Sequence, residues 1–218
     1  MALDKQPGAD LQAEVDRLRS WLASHRWTDD YPHWWTEGGL VGTLEAFLDQ
    51  ADPGQWTGDE VTDLLYVLEQ APTADIAELV TRSEPAALAI ARHSLARGGV
   101  AGDDIAGQLG HCTGQRDEAE ALLIAYARGE HERTRRLALL SLAEMRSSAV
   151  PALALAAWET GDEYARIGAL AALATIGSDL FPRYLGLARE DGRPVLGALA
   201  AKYAAVGSKG EPSTPEED

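Results

Sequence analysis

The sequence predicts an all-α protein built as an α-solenoid of stacked helical hairpins. Three observations carry that prediction. Between Arg135 and Gly192 the chain holds one pattern twice, 31 residues apart: Arg135 falls on Arg166, Ala138 on Ala169, Leu139 on Leu170, Leu142 on Leu173, Pro151 on Pro182 and Gly161 on Gly192. Each copy reads as helix, short turn, helix, the mark of units that bury their apolar stripes by stacking. Ala and Leu are plentiful, Phe occurs only twice, and the β-branched runs of a sheet protein are missing. Apolar residues elsewhere recur at helical spacing between short Gly- and Pro-containing turns.

In chain order, residues 1–8 read as frayed. Ala9 to His25 form an amphipathic helix with Leu11, Val15, Leu18 and Leu22 on one face and Trp21 beside them; Asp10 is the expected N-cap. The segment 26–39 (RWTDDYPHWWTEGG) holds three of the six tryptophans, and Pro32 and Gly38-Gly39 argue against a continuous helix there. Helical spacing resumes at Leu40–Ala51 through Leu44, Phe47 and Leu48. After a turn at 52–58, a helix capped by Thr57 or Asp59 runs to about Ala71 and carries Val61, Leu64, Leu65 and Leu68.

Beyond Pro72 the helices shorten. Ala74–Arg82 follows Thr73 as a cap. Pro85–Arg97 has its proline in the first turn, where a missing N–H costs nothing, and ends at Gly98-Gly99. Asp103–His111 and Asp117–Arg128 come next, then the two clear copies at 132–162 and 163–193. A last helix covers about Pro194–Val206. Residues 207–218 form a polar, acidic tail expected to be disordered. Before residue 100 the repeat frame stays open: 59–71 pairs with 74–82, or 74–82 with 85–97.

Within a copy, Ala138, Leu139 and Leu142 line the inward face of the first helix, as do Ala169, Leu170 and Leu173. In the second helix Val150, Leu153 and Ala157 answer Phe181, Tyr184 and Ala188. Small residues such as Ala138, Ala169 and Gly168 permit close approach. Pro151 and Pro182 set where the second helix starts, and Gly161 and Gly192 end it.

This pattern resembles the HEAT-like repeats of bacterial scaffold proteins and of phycobilin lyases. The shared residues are an acid three before an arginine (Glu132 and Arg135; Glu163 and Arg166), then Ala-Leu, then Leu-Ala, with Ile176-Gly177 following in the second copy. The resemblance implies a right-handed stack with a concave binding face over 73–206, while 1–72 forms a divergent N-terminal helical cap. It is specific for fold and nearly silent on activity.

The formal net charge is −16, concentrated at one end: residues 1–80 hold 4 basic and 16 acidic residues, 81–146 hold 9 of each, and 147–218 hold 6 and 10. Such a field repels phosphates and anionic membranes and attracts basic partners. Arginine outnumbers lysine 16 to 3, a bias typical of GC-rich genomes. A single cysteine, Cys112, excludes an intrachain disulfide, and no apolar leader or membrane-length run is present. The expected setting is the bacterial cytoplasm, as a monomer or weak homo-oligomer.

No nucleotide-binding, hydrolase or paired-cysteine motif occurs, so no catalytic residue is assigned. His131-Glu132 opens a repeat helix. HEAT-repeat hydroxylases use several such pairs to hold a di-iron centre, but one pair cannot, so helix capping is the expectation and neither metal nor cofactor is predicted. His111-Cys112 reads as a buried helix end. Arg135 and Arg166 are expected to stack the repeats by bonding an acid or a helix C-terminus next door, in preference to forming an exposed ladder. The basic stretch around Arg133, Arg135 and Arg136 is too diluted by glutamates for nucleic acid.

The partner-binding candidates are Trp27, Asp29, Asp30, Tyr31, His33, Trp34, Trp35 and Glu37, aromatic anchors within an acidic rim; the competing reading has these rings capping the core. The expected function is therefore a non-catalytic protein-binding scaffold or adaptor for a basic partner, one concrete version being an immunity-type neutraliser. The alternative is an enzyme or lyase-like binder of a small aromatic ligand at 27–37.

Overall fold

The first helix begins on a proline. In the computed structural model, which describes residues 7–25, 39–70, 74–99 and 101–207, α1 runs Pro7–Ser24, opening on a residue type that lacks the N–H a first turn does not need. Asp10 thus sits inside the first turn and is not the N-cap. Leu11, Val15 and Leu18 are fully buried, Leu22 is half-buried, and Trp21 stacks on His25 at 4.8 Å. Residues 1–6 and 208–218, including nearly all of the expected tail, lie outside the described residues.

α2 (Leu40–Gln50) buries Leu40, Leu44 and Phe47. Asp52 then accepts from Gly54 N and starts a single 3-10 turn, Pro53–Gln55. α3 (Gly58–Gln70) opens with a reciprocal capping box. Thr57 Oγ1 accepts from Glu60 N at 3.2 Å, and the Glu60 carboxylate accepts from Thr57 N at 2.7 Å. α4 (Ala74–Val80) is short; its expected cap, Thr73, is outside the described residues. α5 (Glu84–Ala96) is capped by Ser83, and Gly98 and Gly99 end it at φ +83° and +86°.

α6 (Gly102–Leu109) and α7 (Arg116–Ala127) precede α8 (Glu132–Glu144) and α9 (Val150–Glu159), the first clear copy. α10 (Glu163–Ile176) and α11 (Phe181–Glu190) form the second, and α12 (Pro194–Gly207) follows. The copies superpose in their turns. Ser147 N donates to Leu142 O as Ser178 N does to Leu173 O, and the left-handed residue before each is Arg146 (φ +54°) or Gly177 (φ +65°). The described residues form twelve α-helices and the one 3-10 turn, and no strand occurs among them.

Each helix packs on its chain neighbours or on the helix two places along. α2, α4, α6, α8, α10 and α12 form one row of successive contacts; α1, α3, α5 and α7 form another, and α9 and α11 sit against α8, α10 and α12. α4 packs chiefly between α2 and α6 and also touches α3. One continuous core runs from Leu11 to Ala200. Polar bonds keep the 31-residue register within it: Ser141 Oγ donates to Ala106 O at 2.9 Å and Thr134 Oγ1 to Asp103 at 2.5 Å. Gly102 is needed where α6 meets α8, since a Cβ there would stand 2.7 Å from Thr134 Cγ2.

One face was assigned differently from sequence. The buried stripe of α9 is Val150, Ala154 and Trp158, while Leu153 and Ala157 are half-buried. Five of the ten residues in α9 are Ala or Pro, so its periodicity is too weak to select a face.

Candidate binding surfaces

Two surfaces have the chemistry to bind. The first is acidic. α2, α3 and α4 expose Glu45, Asp59, Glu69, Asp75 and Glu78, none of which forms an ion pair among the described residues. Asp49 pairs with Arg82, and Asp16 with Arg19. The helices are amphipathic, so leucines turned inward leave these carboxylates outside. The segment expected to bind beside them lies outside the described residues, with all eight of its candidates: Trp27, Asp29, Asp30, Tyr31, His33, Trp34, Trp35 and Glu37.

The second surface is a groove of about 600 Å³ between the end of α7 and the face of α9, floored by the start of α8. Its walls are methyl groups of Ala149, Ala152, Ala156 and Ala127 with Leu153 and Leu139. Its charges are Arg128, Arg135 and Arg136 against Glu132 alone. Glu132 is taken by Arg136, Nε to Oε1 at 3.0 Å. Arg136 also lies over the exposed Tyr164 ring at 5.6 Å. Arg135 Nη1 donates to the carbonyls of Glu130 (3.0 Å) and Gly129 (3.3 Å) past the C-terminus of α7, and the rest of its fork forms no hydrogen bond among the described residues. Neither Arg128 nor Arg135 has a carboxylate partner among the described residues.

Arg166, one copy along, is placed alike and bonded differently. Its Nε donates to Trp158 O at the end of α9 (3.1 Å), and its Nη1 meets Asp191 Oδ2 at 2.5 Å. Arg193 grips the same carboxylate through two nitrogens and also donates to Gly161 O at 2.7 Å. Together Arg193 and then Arg166 hold the Asp191 carboxyl far below the usual carboxylate range. Two neighbouring acids are engaged elsewhere: Asp162 accepts from Ala165 N at 2.8 Å, and Glu163 accepts from Val195 N and Leu196 N at the start of α12.

Leu139 and Leu170 are buried, and Pro151 and Pro182 stand in the first turns of α9 and α11. His131 occupies the N-cap of α8 without a side-chain capping bond. Cys112 is buried, and that burial pushes its thiol up, towards the protonated form. Among the described residues no three His, Cys, Asp or Glu side chains gather into a metal-binding cluster, and no helix is long and apolar enough to cross a membrane.

The groove is not legible in the sequence because alanine carries no signal of its own. The usable signal was the comparison of copies: Ala149, Leu153 and Ala156 stand where Leu180, Tyr184 and Leu187 stand 31 residues later. Comparison of the chain with models of known protein families, with curated proteins and with solved structures finds no match.

Proposed function

We propose that this chain is a non-catalytic protein-binding scaffold or adaptor, its helices stacked as a right-handed solenoid of HEAT-like hairpins, which engages a basic protein through its acidic N-terminal third. The exposed carboxylates of Glu45, Asp59, Glu69, Asp75 and Glu78 carry the reading. Five exposed acids with no ion-pair partner among the described residues favour a cationic partner and accelerate its encounter. The alternating contacts of the helices and the repeated turns of α8–α9 and α10–α11 support the solenoid. A concrete version is an immunity-type neutraliser that covers the basic cleft of a toxin.

The test is a pull-down with tagged full-length chain from lysate of the source cell, alongside a Glu69→Lys/Asp75→Lys/Glu78→Lys variant of unchanged melting temperature. One dominant basic protein, lost in the variant and bound with steep salt dependence, is the expected result. An equal catch by both chains, or no specific protein, overturns the reading.

A further inference from the structure

The two copies meet the same physical problem and solve it differently. Between α9 and α11, Trp158 and Tyr184 fill the interval, their rings 5.0 Å apart and edge to face, both nearly buried. Between α7 and α9, Leu153 replaces that tyrosine and Ala149 and Ala156 replace leucines, and the interval is the open groove. The charges differ in the same sense. Asp191, the residue that closes α11, neutralises Arg166; the residue that closes α9 is Thr160, which lines the groove and brings Arg135 no carboxylate.

We infer that the α7–α9 groove binds an organic monocarboxylate with an apolar body. The carboxylate takes the place against Arg135 that Asp191 holds against Arg166, and the body takes the space that the Trp158 and Tyr184 rings fill one copy along. The second copy thus displays the occupied state with the chain's own residues. The volume lies within the range of small-ligand sites, and the lining has the matching character: alanine and leucine walls with few, convergent polar groups. Arg128 lines the groove as a second cation, and a carboxylate facing Arg135 meets the part of its planar fork that forms no hydrogen bond among the described residues. The inference is independent of the acidic surface on α2–α4, so the two fail separately.

The experiment titrates the full chain, labelled with 13C at alanine methyls, with decanoate, with 2-naphthoate, and with decyltrimethylammonium as the cationic control, below micellar concentrations. Saturable 1:1 shifts of the Ala152 and Ala156 methyls with either carboxylate, and none with the ammonium, are expected. Thr160→Asp supplies Arg135 with its own carboxylate, as in the second copy. It should weaken carboxylate binding by roughly tenfold or more while melting at or above the wild-type temperature. Ala156→Leu, at an exposed position, should block the apolar body without unfolding the chain. No saturable binding by either carboxylate, equal binding of the ammonium, or undiminished binding in Thr160→Asp overturns the assignment.

Discussion

Arg19 reaches from α1 to α3 and sets its Nη2 2.8 Å from Oδ1 of Asp63, a carboxylate only 6% exposed. Arg19 also bonds Asp16 and lies over the Tyr66 ring, so one guanidinium ties the first helix to the body. Burial pushes the Asp63 carboxyl up, and Arg19 only partly pulls it back.

Arg19→Met should therefore cost roughly 1–3 kcal/mol at neutral pH, by leaving a buried charge without its partner. Because the folded-state value is raised, Asp63 contributes most when protonated, and that contribution is lost as pH rises through its folded value. The deficit of Arg19→Met should shrink on acidification, and Arg19→Met/Asp63→Asn should recover most of it. Urea melts at neutral and acid pH check both; a pH-independent deficit would contradict the account.

Glu84 behaves in the opposite sense. Its carboxylate accepts from Thr113 N (2.6 Å), Gly114 N (2.9 Å) and Gln115 N (3.0 Å) where α7 begins, and those bonds, Thr113 first, lower its proton affinity. A lowered value gives stability that is present above the unfolded-state value and lost as pH falls through the folded one. Glu84→Gln should melt below wild type at pH 7, with the gap closing at low pH. Melting curves across that range decide.

Leu139→Ala and Leu170→Ala should each cost roughly 2–5 kcal/mol, since both side chains are core. Leu139 also floors the groove, so its loss enlarges an existing space and should fall at the lower end. Wild-type-like denaturation of either variant would refute the register drawn for α8 and α10.

Arg146 and Gly177 close α8 and α10 at the same left-handed position, φ +54° and +65°. An L side chain pays there and glycine does not, so Arg146→Gly should stabilise by about 0.5–1 kcal/mol and Gly177→Ala should destabilise by about 1 kcal/mol. Chemical denaturation of the two single variants reads both signs.

Most helix ends were legible in the sequence to within a few residues, because Pro, Gly and capping residues act locally: Thr57, one of two caps offered for α3, then Pro85, Gly98-Gly99, Pro151 and Pro182. The start of α1 was misread since Asp10 resembles a cap while Pro7 can open a helix just as well. The face of α9 was misread since alanine favours helix without favouring a side. The candidate site was less legible still: Arg135 and Arg166 are identical in type and repeat position, and their different roles hang on Thr160 and Asp191, 25 residues further on.

By itself the sequence determined that the chain is helical and where its helices break, which follow from neighbours a few residues apart, and that one pattern recurs 31 residues on, which the residue identities record directly. Tertiary structure alone decided that Asp63 is buried against Arg19, that Glu84 covers the start of α7, and that one interval between copies is open while the next is filled. Those outcomes depend on side-chain volume and charge summed across helices about thirty residues apart, where packing leaves either a ring or a void and no local pattern records which.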